Sequence, residues 1–488
     1  MMPRLRSNRY TLENVKNVNL KLVYLAVIAA SLSGCQSIWP DYLRPKLDVP
    51  ATYAATQPDA GVGSGQTKSL ISSTWWTLYQ DPILSDLINK ALQNNTDIKL
   101  AAARIEEADA VAREIGAALY PRVDLDAGAS RSRVSELGAN PVSRNPRSNY
   151  KAQLGTSFEI DFWGKLSRAK ESARAQALST RYGKDTVALS LSSLVASNYL
   201  VLRSLDSQIA IAQANLKSRE DSLALTKRRL DGGVSSALDV HQAEVASSNL
   251  SAQLAELNRQ RAISLHQLAV LTGVLDLNLA SADINALPIP PTPPAGLPSS
   301  LLEARPDVRQ AEELMVAANA NIAVAKAALY PTISLTASLG GESLALGDVL
   351  KSAARIWTGG LSLNLPIFDS GRLNSKVDQA SAKQKQALAS YEAALQSAFR
   401  EVNDALVNVR QNTERETALS SSEASAKKAL QISENRYQSG YSAYLDVLDA
   451  QRVYNDAALA FVQSRQARLI ATVELFKALG GGWSPAAQ

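Results

Sequence analysis

The pentapeptide AALYP occurs twice in this chain, at Ala117–Pro121 and again at Ala327–Pro331, an offset of 327 − 117 = 210 residues. The similarity extends far beyond these five residues. The segment RRLDGGVSSALDV, Arg228–Val240, aligns with NRYQSGYSAYLDV, Asn435–Val447, at an offset of 207. Self-similarity over most of a chain indicates internal duplication, so we expect two structurally equivalent halves.

The duplication predicts six segments along the chain. Between the halves lies LPIPPTPPAGLP, Leu287–Pro298, whose six prolines favour an extended polyproline conformation. The expected bounds are 1–34 for a lipoprotein signal peptide, 35–75 for an extended segment, 76–286 for repeat 1, 287–298 for the Pro-rich strap, 299–482 for repeat 2 and 483–488 for a C-terminal tail.

Each half contains a long stretch without proline, which predicts long helices. We expect outgoing helices at Leu166–Asp231, with Gly183 as its only glycine, and at Arg372–Ser439. Returning helices are expected at His241–Leu271 and Gln451–Leu479. Apolar residues follow a heptad rhythm along both outgoing helices, which predicts left-handed coiling against neighbouring helices.

Each helical hairpin is expected to turn at glycine. Gly232 and Gly233 mark the first turn, and Gly440 marks the second. Serine is a favourable N-cap, so we expect Ser235 and Ser442 to cap the returning helices.

After each AALYP the hydrophobic period changes to two, which predicts four amphipathic strands. The second strand is expected at Tyr150–Phe162, and the fourth to run from Trp357 to Ile367. Two hairpins on a soluble core would give the same alternation. Strand length, aromatic residues near the strand ends and charges on the polar face favour membrane-spanning strands instead.

Four membrane-spanning strands cannot close a barrel. Open edges would leave backbone groups unpaired in lipid, so such chains must associate. Two, three or four chains would give 8, 12 or 16 strands, and all three are allowed. The strands therefore predict an oligomer and leave its size open.

The N-terminal segment resembles an export signal. Leu22–Leu32 is apolar, too short to span a bilayer, and ends in LSGC with Cys35, the single cysteine. LSGC resembles a bacterial lipobox, which implies cleavage before Cys35 and its lipidation. Gln36 follows, which favours delivery to the outer membrane.

The formal net charge of +5 does not indicate a nucleic-acid-binding protein. Residues 1–34 contribute +4, which leaves +1 for the rest of the chain. Such a balance provides no basic surface for a phosphate backbone, so we expect no nucleic-acid partner.

In this order, the motifs resemble the TolC-like outer-membrane factors, in particular the OprM/NodT-type lipoproteins. The resemblance covers nearly everything after Cys35 and rests on LSGC, WWTLYQDPILSDLI, both ALYP copies, the pair FEIDFWGKL and LNLPIFDSGRL, RYQSGYSAYLDVLDAQR and FKALGGGW. It implies an α+β membrane protein: a long α-helical coiled-coil barrel and a four-strand contribution to a trimeric 12-stranded transmembrane β-barrel, with an internal tandem repeat.

The resemblance also implies partners. Family members are exit ducts of tripartite efflux pumps, joined by a periplasmic adaptor, or membrane fusion protein, to an inner-membrane transporter. For this chain a transporter of RND type and contact with outer-membrane lipid are expected. The implied location is the outer membrane, with lipid anchoring, membrane-spanning strands and helices that extend into the periplasm.

The resemblance places a gate at the helix tips. The implied gate residues are Asp239, Arg436, Tyr437, Leu445, Asp446 and Asp449. The implied adaptor contacts are the turn residues Gly232, Gly233, Gly440 and Ser442, although TolC-like members have Arg where Ser442 stands. Two simpler interpretations stay open: acids in the first turn of a helix are stabilised by its dipole, and Tyr437 is a packed helix aromatic.

An enzyme and a periplasmic lipoprotein without a channel are the two alternative functions. The only histidines, His241 and His266, lie apart on a helix, with no Cys or carboxylate cluster at metal-ligand spacing and no Gly-rich phosphate loop. We therefore expect no enzyme activity, cofactor or metal. A periplasmic coiled-coil adaptor or structural lipoprotein would account for the helices and Cys35, but not for the four strands.

Overall fold

The computed structural model describes residues 42–45, 74–135, 137, 145–291 and 305–482. The signal segment, Cys35, most of the Pro-rich strap and the C-terminal tail lie outside the described residues. The chain divides into two compact units. Of the described residues, unit 1 contains 42–45, 115–170 (except 136 and 138–144) and 319–380, and unit 2 contains 74–114, 171–291, 305–318 and 381–482. Each unit contains segments from both halves.

Seven α-helices lie in the described residues, four of them long. Their bounds are α1 Pro82–Asn94, α2 Thr96–Ala117, α3 Lys165–Asp231, α4 Ala237–Thr272, α5 Pro306–Ala327, α6 Arg372–Gln438 and α7 Tyr444–Ala478. The outgoing helices α3 and α6 each have 67 residues, and Gly183 does not interrupt α3. The returning helices α4 and α7 begin earlier than the periodicity predicts, because they start directly after the turns.

One four-stranded sheet lies in unit 1, in the order β1-β2-β3-β4 with every neighbouring pair antiparallel. The strands are β1 Arg122–Ser132, β2 Arg147–Ile160, β3 Thr332–Ser343 and β4 Arg355–Asn364. The predicted ends of two strands are wrong. Phe162 lies beyond β2, and Leu365 and Ile367 lie beyond β4, where Pro366 has no N–H for a ladder bond.

The register brings the apolar residues of all four strands to one face. Leu154 is opposite Leu125 on one side and Leu339 on the other, and Leu339 is in turn opposite Trp357. In the single chain this face is uncovered: Leu125 is 70% exposed and Trp357 is 77% exposed. Something outside the single chain must therefore cover the apolar face.

The core of unit 2 forms around the WWTLY segment, which is a 3₁₀ helix, Trp75–Tyr79. The Trp75 ring stacks on Phe476 of α7 at 5.8 Å between centroids. The Tyr79 hydroxyl is 2.6 Å from the Thr472 hydroxyl, and burial raises the pKa of Tyr79 above its usual range. The segment before α1 is thereby fixed to the last turns of α7.

The chain that follows α4 is held by arginines from the returning helices. Arg261 of α4 donates to the Leu279 carbonyl at 3.0 Å, and Arg465 of α7 donates to the Leu287 carbonyl at 2.7 Å. In addition, Arg261 pairs with Asp206 of α3 at 2.6 Å. The chain between Leu279 and Leu287, which leads into the predicted strap, is therefore attached to helices of both halves.

Candidate functional site

The two turns that join the long helices have the same backbone structure. Gly233 has φ 74° and Gly440 has φ 81°, a left-handed conformation that glycine adopts without a steric penalty. The Val234 N–H donates to the Arg229 carbonyl at 2.8 Å, and the Tyr441 N–H donates to the Arg436 carbonyl at 2.9 Å. These equivalent bonds satisfy carbonyl groups at the ends of α3 and α6.

The two returning helices begin differently. Ser236, not Ser235, is the N-cap of α4, and with Asp239 it forms a capping box. Ala443, not Ser442, stands at the equivalent position of α7 and makes no side-chain cap. Both predicted N-caps are therefore wrong by one residue, because each helix begins one residue later than a cap at the predicted serine would require.

Asp239 is part of this cap. Its carboxylate accepts the Ser236 N–H at 3.0 Å and the Ser235 hydroxyl at 2.9 Å. These hydrogen bonds, the backbone one first, hold the pKa of Asp239 below its ordinary value. The cap is therefore fully formed above the ordinary carboxyl pKa and is lost as pH falls through the lowered value. Asp239 makes no hydrogen bond to Tyr437.

The cap difference leads to a prediction about the stability of the tips. Ser236→Ala should destabilise the start of α4 by about 1 kcal/mol, whereas Ala443→Ser should stabilise the start of α7 by a similar amount. Amide hydrogen exchange of the first two turns of each helix measures both effects. Slower exchange in α7 after Ala443→Ser, with α4 unchanged, is the expected result; no change in either helix would contradict the cap assignment.

Tyr437 is buried in a small cluster between the two hairpins. Tyr437 and Tyr444 lie 5.4 Å apart between ring centroids, and Ala243 of α4 and Val447 of α7 pack with them. Burial, followed by the neighbouring Tyr437, raises the pKa of Tyr444 to about 12. Within one chain, the contacts of Tyr437 are therefore those of a packed helix aromatic.

Arg229 at the end of α3 contacts the same tyrosine. Its guanidinium carbon lies 4.3 Å from the Tyr437 ring centroid, a cation–π geometry. Its Nη2 also donates to the backbone carbonyls of Tyr437 and Gln438 at 3.4 and 3.5 Å. Arg229 thereby connects the tip of the first hairpin to the last turn of α6.

Sequence reasoning named Arg436 as a gate residue and missed Arg229. The signal was present in the repeat, because Arg229 aligns with Arg436 at the offset of 207. The Arg436 side chain is exposed and has no hydrogen-bond or ion-pair partner among the described residues. Only the packing of α3 against α6 distinguishes the two arginines.

The remaining predicted gate residues are exposed on the first turns of α7. Leu445 is 61% exposed, and Asp446 and Asp449 are also exposed. Asp449 pairs with Arg452 at 2.7 Å, whereas Asp446 has no ion-pair partner among the described residues. These three residues therefore lie together in the first two turns of α7, where solvent reaches them, whereas Tyr437 is buried.

Neither histidine lies in a metal-binding arrangement. His241 is 3.2 Å from Glu244, its only described ionic partner. Within the described ranges, no group of three His, Cys, Asp or Glu side chains is arranged to hold a metal ion.

Comparison with known proteins assigns the chain to a family. The family model described as outer membrane efflux protein matches residues 87–274 and 297–481. This chain belongs to the outer membrane efflux protein family. The expected resemblance to TolC-like outer-membrane factors is thereby confirmed, and the adaptor alternative is set aside.

Individual relatives agree with this assignment. The probable efflux pump outer membrane protein SepC of Pseudomonas putida is 34% identical over 471 residues, which cover 95% of this chain and 98% of SepC. The pyoverdine export outer membrane protein OpmQ of Pseudomonas aeruginosa is 36% identical over 430 residues, covering 86% and 90%. The open-state MtrE outer membrane channel of Neisseria gonorrhoeae has a TM-score of 0.82 and 31% identity, covering 93% of this chain and 100% of MtrE. The chain is an outer-membrane efflux channel protein with this fold.

Proposed function

We propose that three copies of this chain form one channel through the outer membrane. The observation that carries the proposal is the exposed apolar face shared by all four strands, on which Leu361 is 68% and Leu363 is 65% exposed. Within the described part of the chain, strands β1 and β4 each pair with a neighbouring strand on one side only. Joining β4 of one chain to β1 of the next in a trimer pairs every edge and gives 12 strands.

The opposite face of the sheet suits a water-filled lumen. Asp126 is opposite Gln153, and Lys151 is opposite both Gly128 and Glu342. Polar and charged residues on the inner face, with apolar residues on the outer face, are typical of a transmembrane barrel that conducts solutes. We propose that small molecules such as drugs leave the cell through this lumen.

The helix tips supply the gate in this proposal. The long helices extend into the periplasm, and in a trimer each exposed Asp446 is repeated three times around the channel axis. The carboxylates of such a ring attract cations and repel one another, so closure of the channel requires compensating contacts. Tyr437 and its cluster supply these contacts within each chain, and Arg436 and Leu445 lie where neighbouring chains would meet.

We further propose that the channel acts in a tripartite pump. The turns at Gly232, Gly233, Gly440 and Ser442 form the contact with a periplasmic adaptor, and an inner-membrane transporter of RND type delivers the substrate. Lipid on Cys35 anchors the protein, while the strands alone span the membrane. SepC and OpmQ are named as outer-membrane components of efflux or export systems, which supports this arrangement.

The experiment for this proposal is reconstitution of the purified full chain. We expect a trimer in mild detergent and weak ion conductance in planar bilayers, because the closed tips limit flow. A Cys35→Ser variant with a cleavable signal should form the same trimers, since the strands provide the apolar belt. A stable monomer without pore activity would contradict the proposal; loss of trimers only in Cys35→Ser would show that the lipid is structural.

The acidic ring makes a second prediction. Asp446→Asn should reduce cation selectivity and block by divalent cations more than Asp449→Asn does, because Arg452 already neutralises Asp449 in part. Reversal potentials in a salt gradient and titration with Mg²⁺ measure both effects. Unchanged selectivity in the double variant would make these residues ordinary helix-start acids.

A further inference from the structure

The charged residues of the four strands are divided unevenly between the two faces of the sheet. Side chains alternate along a strand, so the register assigns each residue to a face. All strand acids lie on the polar face: Asp124, Asp126, Glu159 and Glu342. The charged strand residues on the apolar face are two arginines, Arg131 opposite Ser148 and Arg355 opposite Gly341.

Both arginines lie at the same end of the sheet, where the hairpins turn. On the same face, each arginine has an aromatic residue closer to the middle of the sheet. Tyr150 is opposite Ala129, which precedes Arg131 by two residues, and Trp357 follows Arg355 by two residues. Two residues span about 7 Å along a strand. Aromatic residues mark the level of the membrane–water interface, so the arginines lie outside it, at the level of lipid headgroups.

The loop between β3 and β4 adds a third cation on this face. It folds against the apolar side at Gly341, where a Cβ atom would lie 1.9 Å from the Val349 carbonyl oxygen. Val349 is buried by this contact, whereas Leu350 is 94% exposed. Lys351 follows directly and is exposed. An exposed leucine beside a lysine suits a loop that rests in the interface of a bilayer.

Among the residues that the structure describes, these cations have few acidic partners. Neither Arg131 nor Arg355 has an ion-pair partner among the described residues, and both are exposed. Lys351 lies 2.5 Å from Asp348 in an exposed pair. The acids on the polar face project to the other side of the sheet and do not share this surface. The surface is therefore complementary to an anion that approaches from the lipid side.

We propose that Arg131, Lys351 and Arg355 bind phosphate groups of the lipid headgroups in the outward-facing leaflet. Guanidinium groups bind phosphate through two parallel hydrogen bonds, and the aromatic residues fix the depth at which the headgroup lies. At the opposite end of the strands, the apolar face carries no cation, so the site recognises one leaflet. The inference rests on the proposed membrane-spanning barrel.

The test measures lipid binding to the intact, delipidated trimer by native mass spectrometry. The probe is lipid A with two phosphates, compared with dephosphorylated lipid A and with zwitterionic phosphatidylethanolamine. The variant is Arg131→Gln with Lys351→Gln and Arg355→Gln. The matched control removes three cations from the polar face of the same sheet: Arg122→Gln, Arg147→Gln and Lys151→Gln.

We expect the apolar-face variant to bind lipid A roughly tenfold or more weakly, and the polar-face control to stay within about twofold of the wild type. Equal weakening of both variants, or of neither, would overturn the inference. Equal binding of dephosphorylated lipid A to the wild type would also overturn it, without requiring any variant to fold. Competition by inorganic phosphate at millimolar concentration would show that free phosphate, rather than a lipid, occupies the site.

Pore formation separates this inference from the proposed function. Wild-type trimers that conduct in bilayers but show no preference for phosphorylated lipid A would contradict the lipid site alone. Failure of the wild type to insert at all would contradict the barrel itself. Arg131→Lys with Arg355→Lys keeps the charge but loses the paired hydrogen bonds, so its lipid binding should lie between that of the wild type and that of the apolar-face variant.

Discussion

Arg229→Gln should raise the open probability of the reconstituted trimer more than any other single substitution at the helix tips. The change removes the guanidinium group 4.3 Å from the Tyr437 ring and its bonds to the last carbonyls of α6. Each contact contributes about 1–2 kcal/mol, which is roughly 5- to 30-fold in an equilibrium constant, so with three chains acting together the closed-to-open ratio should fall by at least on the order of a hundredfold. Planar-bilayer recordings measure the open fraction directly.

The repeat provides a matched control for this experiment. Arg436→Gln changes the equivalent residue of the second half, whose exposed side chain has no hydrogen-bond or ion-pair partner among the described residues. Tyr437→Phe with Arg436→Ser, which keeps the aromatic ring under Arg229, tests contacts between chains. If these variants open the channel and Arg229→Gln does not, the lock lies between protomers and its assignment to Arg229 is wrong.

Asp206→Asn should be the most destabilising single substitution among the charged residues of unit 2. The Asp206 side chain is 1% exposed and pairs with Arg203 at 3.0 Å and with Arg261 at 2.6 Å. It also accepts the Ala282 N–H at 3.2 Å. Removing its charge leaves the Arg203 guanidinium, itself 2% exposed, without an anion, which typically costs about 3–5 kcal/mol.

An exposed pair on α6 is the control for Asp206. Arg400 and Asp404 lie 3.1 Å apart with side chains 67% and 59% exposed. Because water screens such a pair, Asp404→Asn should cost roughly 1 kcal/mol or less. Thermal unfolding of both variants in detergent gives the comparison. Equal shifts of the midpoint would show that the Asp206 network contributes no more than a surface ion pair.

The Asp206 network also fixes the segment that leads from the first half towards the second. Arg203 donates to the Ala280 carbonyl at 2.6 Å, and Ser207 bonds to Asp283 at 2.8 Å. The segment after α4 is therefore held against α3 by charge and hydrogen bonds. Loss of Asp206 should release this segment, and faster amide exchange at Ala282 and Ile284 would accompany the lower unfolding midpoint.

Several features of this protein could be predicted from the sequence, because they depend on local patterns. The repeat, the long helices and the four amphipathic strands follow from residue periods and from the placement of proline and glycine. The sharp turns at Gly233 and Gly440 require a positive φ, and glycine marks both positions. The motifs also predicted membership of the efflux channel family, which the comparisons confirm.

Element ends were predicted less well. A serine at either of two adjacent positions can cap a helix, so the pair Ser235 and Ser236 does not specify which one does. Strand β4 stops at Asn364 although the alternation continues to Ile367, because ladder pairing rather than side-chain period defines the end. Both differences arise from backbone hydrogen bonds that a residue pattern does not specify.

The tertiary structure alone decided which charged groups meet. Arg229 and Arg436 are equivalent in the repeat, yet only Arg229 lies over Tyr437, because α3 reaches the last turn of α6. Asp206 has no sequence feature that distinguishes it from other helix acids, yet it is buried between two arginines. Sequence period determines which face of an element is apolar. Ion pairs act over a few ångströms, so they depend on how separate elements pack.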